Sequence, residues 1–303
     1  MAVLVFGDAM LDTYIDGTVT RISPEAPVPI VHVQHTYYKA GGCANVAIGI
    51  AAHQVPTSLI ATLGNDAQGR QLTQLSTIAL LTPHYITTAL PTINKVRVVS
   101  NKHQLLRYDY ETVAEPNISA LKKIKKAVQQ ASASLVVISD YAKGNCTQTL
   151  CQHIIQATSV IKGKVLVDPK SADWSKYSGA YLISPNFKEL CQAVGHTIPH
   201  TDADITTSAR QLLQQYNISH LLVTRSQQGL SLISATQAYH IPTAATDVAD
   251  VTGAGDTVLA TLAAMLYKGK SLLQAVRIAN QAAGIAVAHF GTYTVTSKHL
   301  RFA

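Results

Sequence analysis

The segment Asp250-Val251-Thr252-Gly253-Ala254-Gly255-Asp256 combines residue types that can carry out phosphoryl chemistry. Three small residues separate Thr252 from Asp256, and an apolar helical pattern begins at once. Glycine lets the backbone turn so that consecutive N–H groups face one point, and a helix N-terminus adds partial positive charge. Gly253, Ala254 and Gly255 therefore make a candidate pocket for the negative charge of a transferring phosphoryl group. Asp256, in the first turn, lies beside that pocket and can take a proton from an acceptor hydroxyl. An ordinary helix with a glycine-rich entry would carry the same residues, so this pattern alone leaves both readings open.

Two further segments bear on the choice. In Ser184-Pro185-Asn186-Phe187-Lys188-Glu189, a helix opens directly after an apolar run. Asn186 and Glu189, three apart, share its entry face and can hold a hydrated magnesium ion. The same pair also fits a helix cap, with Asn at the cap and Glu three residues on. Val223-Thr224-Arg225-Ser226 with Gly229 ends a strand at the edge where open α/β sheets bind nucleotides, or it is a plain strand-turn-strand. Cys43, Cys146, Cys151 and Cys191 show no metal-type spacing and read as reduced thiols.

These segments need a scaffold, and the pattern supplies one. Short apolar runs at Val3–Phe6, Ser58–Ala61, Leu135–Ile138, Val165–Val167, Tyr181–Ile183 and Leu221–Val223 read as buried strands. Helical patterns alternate with them at Ala44–Ala52, Ala67–Ile78, Ser119–Ala131, Thr147–Thr158, Phe187–Val194 and Asp204–Tyr216. Two longer helices are predicted near Ala254–Lys268 and Leu272–His289. The alternation predicts an α/β fold with a mainly parallel sheet covered on both faces. Thr13–Thr36 and Asn94–Glu111 instead alternate apolar with polar residues, which predicts a small β lid. With 47% hydrophobic and 14% charged residues, the 303-residue chain is expected to fold as one domain spanning 1–303. The formal charge of +7 suits nucleic acid and equally a phosphorylated small substrate plus a nucleotide. Lys122, Lys123, Lys125 and Lys126 read as a solvated helix face, so no nucleic acid is expected. No signal peptide or membrane span is legible, and the expected compartment is the cytoplasm.

Taken together, the segments resemble the ribokinase-like (phosphofructokinase-B) family of carbohydrate kinases. Gly41-Gly42-Cys43-Ala44-Asn45-Val46-Ala47 is similar to its N-terminal glycine signature, Asp250–Asp256 to its C-terminal signature, and Asn186–Glu189 to its Asn-x-x-Glu magnesium motif. The order and spacing fit over essentially the whole chain. Within the family, the chain looks closest to the branch acting on D-glycero-β-D-manno-heptose 7-phosphate. That likeness is carried by Gly7–Asp12, Arg21–Pro29, Ser139–Gly144 and Asp168-Pro169-Lys170. The resemblance implies a three-layer α/β/α sandwich with a small β lid, and magnesium-dependent transfer of the ATP γ-phosphate to the anomeric hydroxyl. It also implies a place in lipopolysaccharide core synthesis and a homodimer formed through the lid. Many relatives carry a fused nucleotidyltransferase, so a chain stopping at Ala303 reads as a stand-alone kinase or a kinase half.

On that resemblance, Asp256 is the expected base and the 253–255 amides hold the transferring phosphate. Asp8, Asp12, Gly41, Gly42 and Asn45 are expected at the sugar, with Asp140 and Lys143 beside it. Arg107 is the first candidate for the 7-phosphate, followed by Lys39, Lys95 and Arg97. Asn186, Phe187, Lys188, Glu189, Thr224, Arg225, Gly229 and Asn280 are the expected ATP positions, with Asn186 and Glu189 reaching magnesium through water. A kinase for another sugar, sugar phosphate or nucleoside shares these motifs. A nicotinamide-dependent oxidoreductase would need Gly-x-Gly-x-x-Gly after the first strand, where this chain has Gly7-Asp8-Ala9-Met10. Retention of Asp256 and the whole glycine turn argues against an idle sugar sensor.

Overall fold

Residues 2–101 and 103–300 are described by a computed structural model. Met1, Lys102 within the predicted lid, and residues 301–303 lie outside the described residues. In chain order the first strands are β1 (Val3–Gly7), β2 (Ala9–Ile22) and β3 (Pro29–Gly42). Helix α1 (Cys43–Ala52), β4 (Thr57–Gly64), α2 (Ala67–Leu75), β5 (Leu81–Thr88), β6 (Asn94–Ser100) and β7 (His103–Tyr110) follow. The middle of the chain forms α3 (Ile118–Ala131), β8 (Leu135–Ser139), α4 (Gln148–Val160), β9 (Lys164–Asp168), β10 (Leu182–Ile183), α5 (Phe187–Val194) and α6 (Asp202–Gln215). It closes with β11 (His220–Thr224), β12 (Leu230–Ser234), β13 (Ala238–Ile241), α7 (Ala254–Tyr267) and α8 (Leu272–Val287).

Nine strands form the main sheet in the order β13-β12-β11-β10-β9-β8-β1-β4-β5. Pairing is parallel from β11 through β5 and antiparallel at β11–β12 and β12–β13. Successive side chains of a strand point to opposite faces. Val3 and Val5 accordingly join one core with α1, α7 and α8, while Leu4 and Phe6 join a second core with α3, α4 and α6. The expected three layers are therefore present. Strand β5 escaped the sequence reading because it is a polar edge strand containing Pro83, which only an edge tolerates. The lysine run lies on α3, where Lys122, Lys123 and Lys126 are exposed.

The lid is a second sheet ordered β3-β2-β6-β7. Its strands begin inside the body: Ala9–Tyr14 and Ala40–Gly42 are buried, and only the distal hairpin projects. Continuity with β1 on one side and α1 on the other puts the lid base at the carboxyl edge of the main sheet.

Candidate active site

The first turn of α7 meets that edge. Gly253 takes a left-handed φ of 77° as the helix cap, and a Cβ there would come within 2.9 Å of Thr292 Cγ2. Asp250 braces the approach: one carboxylate oxygen accepts the N–H and hydroxyl of Thr252, the other the N–H of Gly291. The Ala254 N–H turns back to the Val251 carbonyl at 3.2 Å, leaving the amides of Gly255 and Asp256 for a ligand. Asp256 is 5% exposed. Its Oδ2 accepts Asn45 Nδ2–H at 2.8 Å and its Oδ1 accepts the Tyr141 hydroxyl at 2.7 Å. Burial pushes its carboxyl group up to about 6 against the pull of those two bonds. A general base tuned this way is ionised at neutral pH yet basic enough to take a hydroxyl proton.

Gly253, Ala254, Gly255 and Asp256 line a cleft of about 220 Å³ together with Asp140, Tyr141, Asp168, Lys170, Asn186, Glu189 and Thr224. Its walls are the carboxyl ends of β8, β9, β10 and β11, the place where open parallel sheets bind ligands. Asn186 and Glu189 do form a capping box: Asn186 Oδ1 accepts the Glu189 N–H at 2.9 Å, and Glu189 Oε2 accepts the Asn186 N–H at 3.0 Å. Glu189 Oε1 meets Lys170 Nζ at 2.9 Å. The two readings of this pair are thus compatible, since the box aims Glu189 into the cleft.

Sequence reading missed Asp168. No hydrogen bond or ion pair holds its carboxylate among the described residues. Burial raises its carboxyl group well above the usual range, and the charges of Asp256, Glu189 and Asp140 add to that. A hard divalent cation held through water beside this carboxylate would relieve the repulsion. The signal available in the sequence is Asp168-Pro169-Lys170 at a strand end.

Several expected ATP positions lie outside this cleft. Arg225 turns into the protein, where its guanidinium meets Asp202 at 2.5 Å, Gln228 at 2.5 Å and Ser231 at 3.0 Å. Asn280 donates to the Pro242 carbonyl at 2.7 Å and fastens the loop after β13. Gly229 packs under the Ile241 carbonyl, Phe187 stacks on His200, and Lys188 is exposed on α5. Thr224, by contrast, does line the cleft.

The sugar side also divides. Asp8 is fully buried, and its carboxylate accepts the backbone N–H groups of Tyr141, Lys143 and Asn145 at 2.9, 2.9 and 3.0 Å. It therefore organises a loop, with Oδ2 accepting two of these donors and Oδ1 one. Asp140 is similarly engaged by Lys176, Tyr177 and the Ala142 N–H. Asp12 pairs with Arg97 at 2.5 Å, and a Cβ on Gly41 would strike Asp12 Oδ2 at 2.5 Å. Gly41 thus makes room for a carboxylate, and Gly42, at φ 60°, turns the chain from β3 into α1. Asn45 serves Asp256, as described.

Of the four cations considered for a remote phosphate, three are engaged. Arg107 forks onto Asp109 at 2.8 and 2.6 Å, Arg97 holds Asp12, and Lys39 donates to the Thr292 carbonyl at 2.7 Å. Lys143 meets Glu111 at 2.7 Å. Lys95 has no hydrogen bond or ion pair among the described residues and lies 5.6 Å from the centre of the Tyr141 ring. Burial lowers its pKa, with Arg107 and Lys143 pushing the same way and Asp12 and Asp109 opposing.

Residues 2–299 match the pfkB family of carbohydrate kinases. The chain is 43% identical over 307 aligned residues to the "Bifunctional protein HldE" of Histophilus somni, covering 99% of this chain and 63% of that protein. Against the protein of the same name from Shewanella loihica the identity is 45%, covering 97% and 61%. The chain thus spans about three fifths of the length of the curated relatives it matches. Among solved structures, phosphofructokinase-2 from Escherichia coli in complex with potassium superposes with a TM-score of 0.83 at 19% identity, covering 98% of this chain and 96% of that one. Arabidopsis thaliana ribokinase complexed with ribose and ATP gives 0.73 at 20%, covering 96% and 95%. At that identity these two likenesses establish the fold.

Proposed function

This chain belongs to the pfkB family of carbohydrate kinases, and from that premise we propose that it phosphorylates the anomeric hydroxyl of D-glycero-β-D-manno-heptose 7-phosphate with ATP. The observation that carries a sugar-kinase site is Asp256, buried between Asn45 and Tyr141 at the mouth of an open helix N-terminus. The heptose rests on the likeness of Arg21–Pro29 and Ser139–Gly144, and Lys95 of the lid, without an anion among the described residues, supports a phosphorylated acceptor. Residues 1–303 act as one kinase unit, with the lid at the sugar. The product enters the synthesis of the lipopolysaccharide core. The four unbridged cysteines fit the reducing cytoplasm.

The roles follow from the geometry. Asp12 accepts a sugar hydroxyl with the oxygen Arg97 leaves free. Asp256 takes the proton of the attacking hydroxyl, and the amides of Gly255 and Asp256 hold the oxygens of the transferring group. Asn186 and Glu189, joined by Asp168, would hold magnesium through water, and the ion would supply charge neutralisation between the ATP phosphates. Lys170 and Thr224 face the nucleotide phosphates from the same wall.

With ATP and the heptose 7-phosphate, the expected product is the 1,7-bisphosphate, read by phosphorus NMR; a higher kcat/KM on another sugar overturns the assignment. Lys95→Ala is expected to raise KM for the heptose phosphate by about 10- to 100-fold, as loss of a charged hydrogen bond does, with KM for ATP unchanged. If Arg107→Ala raises that KM and Lys95→Ala does not, the phosphate sits on Arg107.

The lid also offers a pairing surface. Strand β7 is exposed along its length, with Tyr110 61% and Leu106 56% exposed at a sheet edge. Light scattering is expected to give about twice the 32.4 kDa of the chain, and a monomer mass would remove the dimer.

A further inference from the structure

Tyr141 lies within Ser139–Gly144, outside the glycine and magnesium signatures, and its hydroxyl is one of two groups fixed to the base, 2.7 Å from Asp256 Oδ1. The loop that carries it is anchored from below by two buried carboxylates. Asp8 accepts the N–H groups of Tyr141, Lys143 and Asn145, and Asp140 accepts that of Ala142 while meeting Lys176 and Tyr177. Ala142 sits at φ 55°, a left-handed conformation that such anchoring makes tolerable for a residue with a side chain. Asp8 thus accepts three backbone donors from the loop that places this phenol, and Asp140 accepts one.

We propose that Tyr141 is a positioning residue for the base: its hydroxyl, set by the Asp8-anchored loop, holds the Asp256 carboxylate in one orientation and leaves the second lone pair of each oxygen for the acceptor hydroxyl. This rests on the kinase reading of the site. A carboxylate oxygen accepts two hydrogen bonds, so Tyr141 and Asn45 can remain in place while the substrate hydroxyl docks. Tyr141 stays a donor throughout, because burial and the nearby Asp256 and Asp168 charges raise its phenol well above the ordinary range. The bond also favours the ionised base. The other charged or titratable groups acting on Asp256 are Asp12 from β2, Lys95 from β6, Cys43 from α1 and Asp168 from β9. Among them Lys95 alone adds to the stabilisation of the anion, and it also lies over the Tyr141 ring.

The test is Tyr141→Phe in the full chain, which keeps the ring and removes the donor. The acid limb of the kcat profile is expected to move upward by about half to one pH unit, as loss of one hydrogen bond to a carboxylate implies, with KM for sugar and ATP within twofold. Fluorotyrosine at 141, an isosteric and stronger donor, is expected to move the limb the other way. Carbon-13 NMR titration of the Asp256 carboxylate should show the same displacements without any turnover, so failure of the sugar assignment leaves this measurement standing. An unmoved titration in both variants overturns the proposal. So does a rise in sugar KM with the acid limb in place, which would make Tyr141 a substrate ligand.

Discussion

Asp256→Asn is expected to lower kcat by about three orders of magnitude, within the range general-base catalysis supplies, while KM for ATP and sugar stays within a few-fold. The amide keeps the shape of the carboxylate and an oxygen for Asn45 Nδ2, and the Tyr141 hydroxyl can turn to accept from its NH₂ group. Binding therefore survives and proton removal does not. In the wild type, burial holds the carboxyl group at about 6, so kcat is expected to fall as pH drops through that value and to level off above it. The same shift has a sign for stability. A carboxyl group raised from 3.8 binds its proton more tightly when folded, so ionisation costs the folded state progressively between about 4 and 6 and fully above that. The Asn variant is therefore expected to melt higher than the wild type at pH 7 and alike at pH 3.5. A stable variant with substantial residual kcat would remove Asp256 from the base role.

Gly253→Ala is the second large effect expected, a fall in kcat of about 100-fold, comparable to loss of one oxyanion donor. Two costs coincide at this position. A φ of 77° is left-handed, where a Cβ is strained, and that Cβ would also press on Thr292 Cγ2 at 2.9 Å. The turn relieves this by rotating, and the amides of Gly255 and Asp256 then no longer converge on the transferring group. Gly255 provides the control: a Cβ there meets nothing within 4 Å, so Gly255→Ala is expected to lose less activity. Circular dichroism establishes that both variants fold, and single-turnover rates at saturating ATP separate the chemical step from binding. Equal rates for the two variants would detach Gly253 from transition-state stabilisation.

The sequence by itself determined what lies within a few residues along the chain. The glycine turn with Asp256 three residues into α7, the Asn186–Glu189 cap, and the strand-helix alternation that builds a covered parallel sheet are all local patterns. Hydrogen bonding and hydrophobic periodicity act over about four residues, so residue types alone express them. Tertiary structure decided which partner each polar group meets. Asn45 and Tyr141 reach Asp256 across 211 and 115 residues, and Arg97 reaches Asp12 across 85. These meetings depend on strand order at one sheet edge, which no local pattern encodes. Hence Asp8 and Asp12, four residues apart in one segment, separate into a loop anchor between β1 and β2 and a candidate sugar ligand within β2. Arg225, one residue past Thr224, turns away from the cleft, while Asp168, Tyr141 and Lys95 become prominent because, among the described residues, their neighbours leave a carboxylate unpaired, fix a hydroxyl on the base and leave an ammonium without an anion.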